Sequence, residues 1–261
     1  MKIGISWNCY KPLSQEEQIK LMKENGFEAT FVSNEYENFD SDVQALQKAG
    51  IAVETIHAPF RPINDIWEEG EKGDAMLKRL TDCAADAARH NIPVIVVHLS
   101  SGTTPPMISD AGNRRFAKLM EEAKRLGITV AFENQRKLAN LALMFEYYEE
   151  ARFCWDVGHE KCFAAGREYM PLFGDKLTAL HIHDNSCLPN QDLHMIPYDG
   201  NIDFEHVAKQ IAKSGYQGTV MLEMNRSISD RYIKTSPEEY YTRAATAAKR
   251  LRDRIEFYKE K

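Results

Sequence analysis

Short apolar runs rich in β-branched residues alternate along the chain with longer segments whose apolar residues recur at the helical period of 3.6. The runs predict eight strands, at residues 2–7, 29–33, 52–57, 93–98, 129–133, 152–156, 179–181 and 219–223. The amphipathic segments between them predict eight helices, at residues 15–25, 40–49, 74–90, 112–126, 138–149, 163–173, 204–214 and 237–259. Strand and helix therefore form a repeating unit of roughly 30 residues.

Local signals support several of the predicted helix ends. Ser14 and Glu17 have the spacing of a capping box before the first helix. Gly127 follows the fourth helix as a C-terminal cap, and Pro237 stands in the first turn of the last one.

Eight βα units in 261 residues predict an α/β fold, a single parallel (β/α)8 TIM barrel that occupies residues 1–261 as one domain. An open doubly wound sheet is the alternative, and it would normally carry a glycine-rich phosphate turn after its first strand. The segment after that strand, residues 7–12, contains no glycine. The barrel is therefore favoured.

Composition narrows the functional classes. The net charge of −6 argues against a dedicated nucleic-acid protein, which usually has a basic excess. No stretch approaches the roughly 18 apolar residues of a membrane span, and the start has no signal-peptide core, so a cytoplasmic location is expected. The cysteines number five with no CxxC pair, which favours reduced thiols over a disulfide scaffold or a zinc ribbon.

Chemically active side chains end six consecutive predicted strands. They are His57, His98, Glu133, Asp156, His181 and Glu223. In an α/β barrel the active site lies at this end of the strands, so these groups should converge. His159, Asp192 and His194 follow in the loops just beyond. Any one histidine is more often a core or surface residue, but buried charges in such a set must be paired or bind metal.

The donor set predicts a divalent cation as cofactor, because carboxylates and imidazoles without thiolates suit zinc, manganese, cobalt or magnesium. No nucleotide cofactor is expected. No glycine-rich phosphate cradle follows the seventh or eighth strand, so a phosphorylated substrate is not indicated.

At this point the sequence resembles a known family. The motifs are HIHDN at 181–185, D-x-H at 192–194, P-x-x-G-x-I-D-F at 197–204 and D-x-G-H at 156–159, with a last strand ending in Glu223. In this order they resemble the xylose-isomerase-like barrel superfamily, which includes sugar epimerases and isomerases and also endonuclease IV. The resemblance covers nearly the whole chain.

The resemblance implies a metal-dependent sugar isomerase or epimerase. Its metal ligands would be Glu133, Asp156, His181 and Glu223, with the two glutamates as the catalytic acid and base around a metal-stabilised enediolate. His159 would contact a substrate oxygen. The epimerases have an arginine after the seventh-strand motif, where this chain has Cys187.

The endonuclease IV branch is the alternative, because its nine ligands to three zinc ions all have counterparts here. They are His57, His98, Glu133, Asp156, His159, His181, Asp192, His194 and Glu223. A third possibility is a metal-binding barrel with lyase activity, or one that has lost catalysis.

The loops favour the sugar enzyme. Basic residues such as Arg136, Lys137 and Lys161 look scattered among acidic ones, and the acidic segment 65–71 would repel a phosphodiester backbone if it faced the barrel mouth. Trp7, Phe60 and Trp67 are candidates for an apolar wall against a sugar face. The expected partner is thus a small sugar rather than nucleic acid or a membrane, and a homo-oligomer is possible.

Overall fold

The computed structural model describes residues 1–261 and consists of eight parallel strands and nine helices. The strands are β1 (Ile3–Ile5), β2 (Ala29–Ser33), β3 (Ala52–His57), β4 (Val94–His98), β5 (Thr129–Glu133), β6 (Arg152–Asp156), β7 (Leu177–His181) and β8 (Val220–Leu222). The helices are α1 (Gln15–Asn25), α2 (Phe39–Lys48), α3 (Glu71–Arg89), α4 (Asp110–Leu126), α5 (Leu138–Tyr147), α6 (Val157–Phe163), α7 (Met170–Phe173), α8 (Phe204–Ser214) and α9 (Pro237–Lys259).

The sheet closes into a (β/α)8 TIM barrel, as the sequence predicted. Neighbouring strands pair in parallel in the order β7-β6-β5-β4-β3-β2-β1-β8. The two ends of this row meet through a parallel bridge between Ile182 and Leu222. Ile182 donates its N–H to Met221, and Glu223 donates to Ile182, so main-chain hydrogen bonds complete the ring.

Two layers of core hold the barrel together. The large apolar core lies between the strands and the surrounding helices, and α9 packs against α1 and α8. Inside the barrel the packing side chains are mostly small, with Val96, Ala131, Cys154 and Ala179 forming one buried cluster. None of the helices is both long and apolar enough to cross a membrane.

The prediction of a helix at residues 163–173 is wrong. The chain instead forms α6 directly after β6, because the Asp156 carboxylate accepts the N–H of His159 and caps a new helix there. Ala165 and Gly166 then take left-handed conformations, which separate α6 from the short α7. The predicted strands at 29–33, 52–57, 129–133 and 152–156 are confirmed residue for residue.

A buried arginine fixes the segment between β3 and α3. The Arg115 side chain is 6% exposed, and its Nε lies 3.0 Å from the Asp74 carboxylate. Its guanidinium also donates to the carbonyls of Ile66, Glu68 and Gly70. One side chain therefore ties this connection to α4.

We expect Arg115→Met to lower the free energy of unfolding by about 3 kcal/mol, because three carbonyls and one carboxylate lose their donor. Arg114→Met is the matched control, since Arg114 pairs with Glu69 and both side chains are exposed. Its cost should stay below about 1 kcal/mol. Urea unfolding measures both, and equal losses would contradict the role given to Arg115.

Candidate active site

The strand register places the predicted site residues side by side at one end of the barrel. His98 is the direct neighbour of Glu133 across β4 and β5, and Asp156 is the neighbour of His181 across β6 and β7. Side chains at paired positions of parallel strands point to the same face. These four side chains therefore all point into the barrel mouth, while Trp155, one position earlier, is buried on the other face.

Four ligand-type side chains converge at the floor of the mouth. Glu133, Asp156, His181 and Glu223 each offer one oxygen or nitrogen within 4.8 Å of the others. His181 Nδ1 lies 3.0 Å from Glu133 Oε1 and 3.3 Å from Glu223 Oε2. The structure thus brings together the four residues expected to hold a cation. We call them the carboxylate–histidine group.

Some polar atoms of the carboxylate–histidine group have no hydrogen-bond partner in the protein. Glu223 Oε2 and His181 Nε2 are buried without a hydrogen-bond partner. Glu133 Oε2, in contrast, lies 2.6 Å from His98 Nε2 and is paired with it. Buried polar atoms are normally satisfied, so the unpartnered oxygen of Glu223, in a group of three carboxylates and one imidazole, is free to bind a ligand. The residues present therefore fit a divalent cation.

Neighbouring groups orient Asp156. The Asn134 side chain exchanges two hydrogen bonds of 2.8 Å with the main chain of Asp156. Asp156 Oδ1 accepts the His159 N–H at 2.6 Å, and His183 Nε2 lies 3.2 Å from the same oxygen. A side chain at position 158 would begin 1.9 Å from the His183 ring, so Gly158 permits this close approach.

Two further clusters flank the central group. His57 and His98 lie on one side, with their Nε2 atoms 3.4 Å and 2.6 Å from Glu133 Oε2. On the other side Asp192 Oδ2 lies 3.3 Å from the Nε2 atoms of both His159 and His194. All nine predicted ligand-type residues are consequently found in one region.

A cavity of about 550 Å³ opens above this floor. Among the residues that line it are His57, His98, His159, Asp192, His194 and Glu223. Phe60 lines it as well and packs against His57 and His98, with ring centroids 5.4 Å and 5.0 Å apart. Trp7 also borders the cavity, although only 3% of it is exposed and its N–H donates to Asp42.

Trp67 does not line this cavity, in contrast to its proposed place in a substrate wall. Its indole N–H donates to the Leu99 carbonyl at 2.7 Å, and its ring packs 5.2 Å from that of Phe116. The reason is that the chain after β3 folds into a short 3-10 helix, Ile63–Trp67, which packs against α4. Trp67 is therefore part of the outer core.

The same geometry corrects the charge argument drawn from segment 65–71. None of its acidic side chains lines the mouth cavity. Glu69 pairs with Arg114 on α4, and Asp65 belongs to the short 3-10 helix beside that helix. The acidic segment lies away from the mouth, so it gives no reason to exclude a phosphodiester there.

Two contributors to the site were missed in the sequence. Gln135 Nε2 lies 3.0 Å from His159 Nδ1 and 3.4 Å from His98 Nε2, so it links two of the histidines. Phe31 stacks on His181 with ring centroids 4.6 Å apart. Gln135 follows the strand end Glu133 by two residues, which was a usable signal, whereas nothing in the sequence marked Phe31.

The carboxylates and imidazoles shift one another's pKa values. Burial disfavours ionisation of Glu133, but the charges of His98 and His181 outweigh it and hold the pKa of Glu133 well below its usual range. Burial also opposes protonation of His194, yet the adjacent Asp192 carboxylate raises the pKa of His194 to about 9. The site thus attracts positive charge strongly, from protons or from a cation.

We expect the metal-free protein to lose stability as the pH rises from 6.5 to about 9, the ordinary and folded-state pKa values of His194. The raised pKa means that protonated His194 stabilises the folded state fully below 6.5 and no longer above 9. The difference in free energy of unfolding between wild type and His194→Gln should shrink over this interval. His206→Gln, at an exposed histidine that pairs with Glu168, is the control, and a pH-independent difference for His194→Gln would contradict the prediction.

Comparison of the sequence with protein families and with known proteins gives one family match and two relatives. A family model described as xylose isomerase-like TIM barrel matches residues 19–259. The uncharacterized protein y4fM of Sinorhizobium fredii is 34% identical over 126 residues, which make up 47% of this chain and 38% of that protein. The uncharacterized protein MJ1311 of Methanocaldococcus jannaschii is 23% identical over 255 residues, covering 88% of this chain and 85% of that protein.

Several solved structures share the fold along nearly their whole length. D-psicose 3-epimerase from Clostridium cellulolyticum H10, solved with D-tagatose, superposes with a TM-score of 0.78 at 13% identity, covering 98% of this chain and 99% of its own. The 3-keto-D-glucoside 4-epimerase YcjR from E. coli gives 0.73 at 20% identity, covering 97% and 99%. The IOLI protein with a bound zinc atom gives 0.73 at 15% identity, covering 99% of both chains.

Proposed function

This chain belongs to the xylose isomerase-like TIM barrel family, and we propose that it is a divalent-metal-dependent isomerase or epimerase of a small sugar or sugar derivative. The observation that carries the proposal is the carboxylate–histidine group, whose four ligand-type atoms lie within 4.8 Å of one another at the barrel mouth. Structures of similar fold that are named as epimerases of D-psicose and of 3-keto-D-glucosides support a sugar as substrate.

The metal would be held by Glu133, Asp156, His181 and Glu223. When bound, a divalent cation supplies Lewis-acid polarisation of a substrate carbonyl. Three carboxylates and one imidazole suit zinc, manganese, cobalt or magnesium, and the zinc in the IOLI structure makes zinc a reasonable first ion to test.

Glu223 is the better placed of the two glutamates to meet the substrate first. It lines the mouth cavity and its side chain is 15% exposed, whereas the side chain of Glu133 is completely buried. In our proposal, Glu223 takes the proton from the carbon next to the substrate carbonyl, which leaves an enediolate. Return of a proton to the neighbouring carbon isomerises the sugar. Return of a proton to the same carbon from the opposite face epimerises the sugar. We propose that Glu133 donates this proton.

His159 and Phe60 would position the sugar. His159 lines the cavity, and the charge of Asp156 and Asp192 overcomes the effect of burial and raises the pKa of His159 well above its ordinary value. A protonated imidazole there can donate a hydrogen bond to a sugar hydroxyl or carbonyl oxygen. Phe60 presents an apolar ring to the same cavity, which suits the C–H face of a sugar.

Deuterium exchange tests this chemistry across many sugars at once. The zinc- or manganese-loaded protein is incubated in D2O with a panel of ketoses and aldoses, and the products are followed by NMR. We expect deuterium at the carbon next to the carbonyl of at least one sugar, together with an isomer or epimer. A panel that shows neither exchange nor product would contradict the proposal.

An abasic-site endonuclease of the endonuclease IV type is the second candidate. One observation favours it. The two clusters that flank the carboxylate–histidine group contain the remaining counterparts of the nine zinc ligands of endonuclease IV. Such an enzyme would bind three zinc ions and cleave abasic duplex DNA, so elemental analysis and a cleavage assay distinguish it from the sugar enzyme. A cytoplasmic location and a homo-oligomeric assembly stay predictions.

A further inference from the structure

A second cavity beside the mouth is lined by four basic side chains and by no carboxylate. It measures about 530 Å³ and lies among the loops that follow β4, β5, β6 and β7. The basic residues are Arg136, Lys137, Lys161 and Arg167. In the sequence these looked scattered, but the fold gathers them around one space, which we call the basic cavity.

Main-chain carbonyls hold two of these cations in place. Lys137 Nζ lies 3.1 Å from the carbonyl oxygens of both Pro105 and Pro106. Arg167 donates to the carbonyls of Ala164 and Arg136, at 2.7 Å and 3.0 Å. Carbonyl oxygens orient a cationic side chain but do not cancel its charge.

Only one of the four cations has an ion-pair partner. Lys161 Nζ lies 3.0 Å from Glu160 Oε1. Glu160 is itself buried, and its other oxygen accepts the Trp155 indole N–H and the Tyr169 N–H. Burial of the Arg136 guanidinium lowers its pKa. The basic cavity therefore carries excess positive charge that an anion would neutralise.

The basic cavity adjoins the active site through a single aromatic ring. The Arg136 guanidinium carbon lies 3.7 Å from the centroid of the Phe163 ring. The same ring stacks on His159, with centroids 4.9 Å apart. Gln135, which precedes Arg136, contacts His159 as well. The Phe163 ring thus lies between the Arg136 guanidinium and the His159 ring, and these two contacts place the two groups no more than about 9 Å apart, a span that a sugar with a terminal anionic group can bridge.

We propose that the basic cavity binds an anionic group, a phosphate or a carboxylate, carried by the sugar that reacts at the barrel mouth. The inference rests on the proposed function and narrows its substrate class to anionic sugars. Arginine guanidinium groups bind phosphate and carboxylate oxygens in pairs, and lysine ammonium groups add charge and further donors. The sequence had not indicated a phosphorylated substrate, because this site has no glycine-rich cradle and its cations come from separate loops.

Binding of inorganic phosphate to the metal-free protein tests the cavity by itself. We expect the double variant Arg136→Gln/Arg167→Gln to bind phosphate at least about tenfold more weakly than wild type in a calorimetric titration. Arg152→Gln is the matched control, because Arg152, like Arg167, donates only to main-chain carbonyls, those of Glu149 and Ala151, but starts β6 at the opposite end of the barrel. Equal phosphate affinity in wild type and double variant would overturn the inference.

Kinetics of the metal-loaded enzyme then connects the cavity to the substrate. Matched ketoses that differ only in a terminal hydroxyl, phosphate or carboxylate are compared, and we expect a lower KM for one of the anionic forms. The double variant should lose this advantage, while Arg152→Gln should keep it. Preference of the wild type for the neutral sugar would overturn the inference even if the sugar chemistry is real.

Two further outcomes separate this inference from the proposed function. Phosphate binding that depends on Arg136 and Arg167, without conversion of any sugar, would contradict the proposed function and support the anion site. Cleavage of abasic duplex DNA that the double variant loses would mean that a nucleic-acid phosphate fills the basic cavity, and this would overturn its assignment to a sugar.

Discussion

Replacing Glu223 with Gln is expected to lower the kcat for sugar conversion at least about a thousandfold. The amide has nearly the same size, so the fold should persist, but it cannot accept a proton and it removes one negative charge from the carboxylate–histidine group. The first change removes the group that takes the proton from the reacting carbon, and the second weakens binding of the cation beside that carbon. Turnover of the best sugar from the panel and deuterium exchange at that carbon measure the effect.

Glu54→Gln is the matched control for this experiment. Glu54 lies on β3, where its carboxylate accepts the Thr219 hydroxyl at 2.8 Å, at the end of the barrel opposite to the mouth. It should leave kcat unchanged. Glu133→Gln should be as damaging as Glu223→Gln, since we propose that the two glutamates form one acid–base pair. Wild-type turnover in Glu223→Gln would show the mechanism to be wrong.

Divalent metal is expected to stabilise the folded protein by about 2.7 kcal/mol when its free concentration is one hundred times the dissociation constant. For a chain of this size that corresponds to a rise in melting temperature of roughly 5–10 °C. The cation binds only where Glu133, Asp156, His181 and Glu223 converge in the folded chain, and the unfolded chain does not offer this arrangement, so binding favours the folded state. Differential scanning calorimetry with and without zinc or manganese, combined with elemental analysis, measures the effect.

The variant His181→Ala should lose most of this stabilisation, because His181 is the imidazole of the carboxylate–histidine group. His206→Ala, at a histidine that is 40% exposed and pairs with Glu168, should retain it. An unchanged melting temperature of the wild type in saturating metal would contradict a metal site at the barrel mouth. Three bound ions per chain would favour the endonuclease candidate.

Some signals in the sequence are more reliable than others. Strands such as Ala52–His57 and Arg152–Asp156 were predicted to the residue, since apolar runs bounded by turns and polar ends leave little choice. The helix expected at 163–173 was wrong because the Asp156 side chain begins a helix six residues earlier. A cap formed by an active-site carboxylate competes with periodicity, and periodicity alone cannot reveal it.

The barrel and the residues at its mouth could be predicted from the order of strands and helices along the chain. Strand ends of a parallel barrel must converge, so His98, Glu133 and Asp156 were assigned to one site from their positions along the chain alone. The three-dimensional structure was needed to show which neighbouring loops face that site. In the structure, Trp67 and the acidic segment 65–71 lie outside the mouth, near α4. The basic side chains of Arg136, Lys137, Lys161 and Arg167 line one cavity. This difference arises because a strand has a fixed direction and period, whereas the path of a loop depends on the long-range contacts that its side chains make.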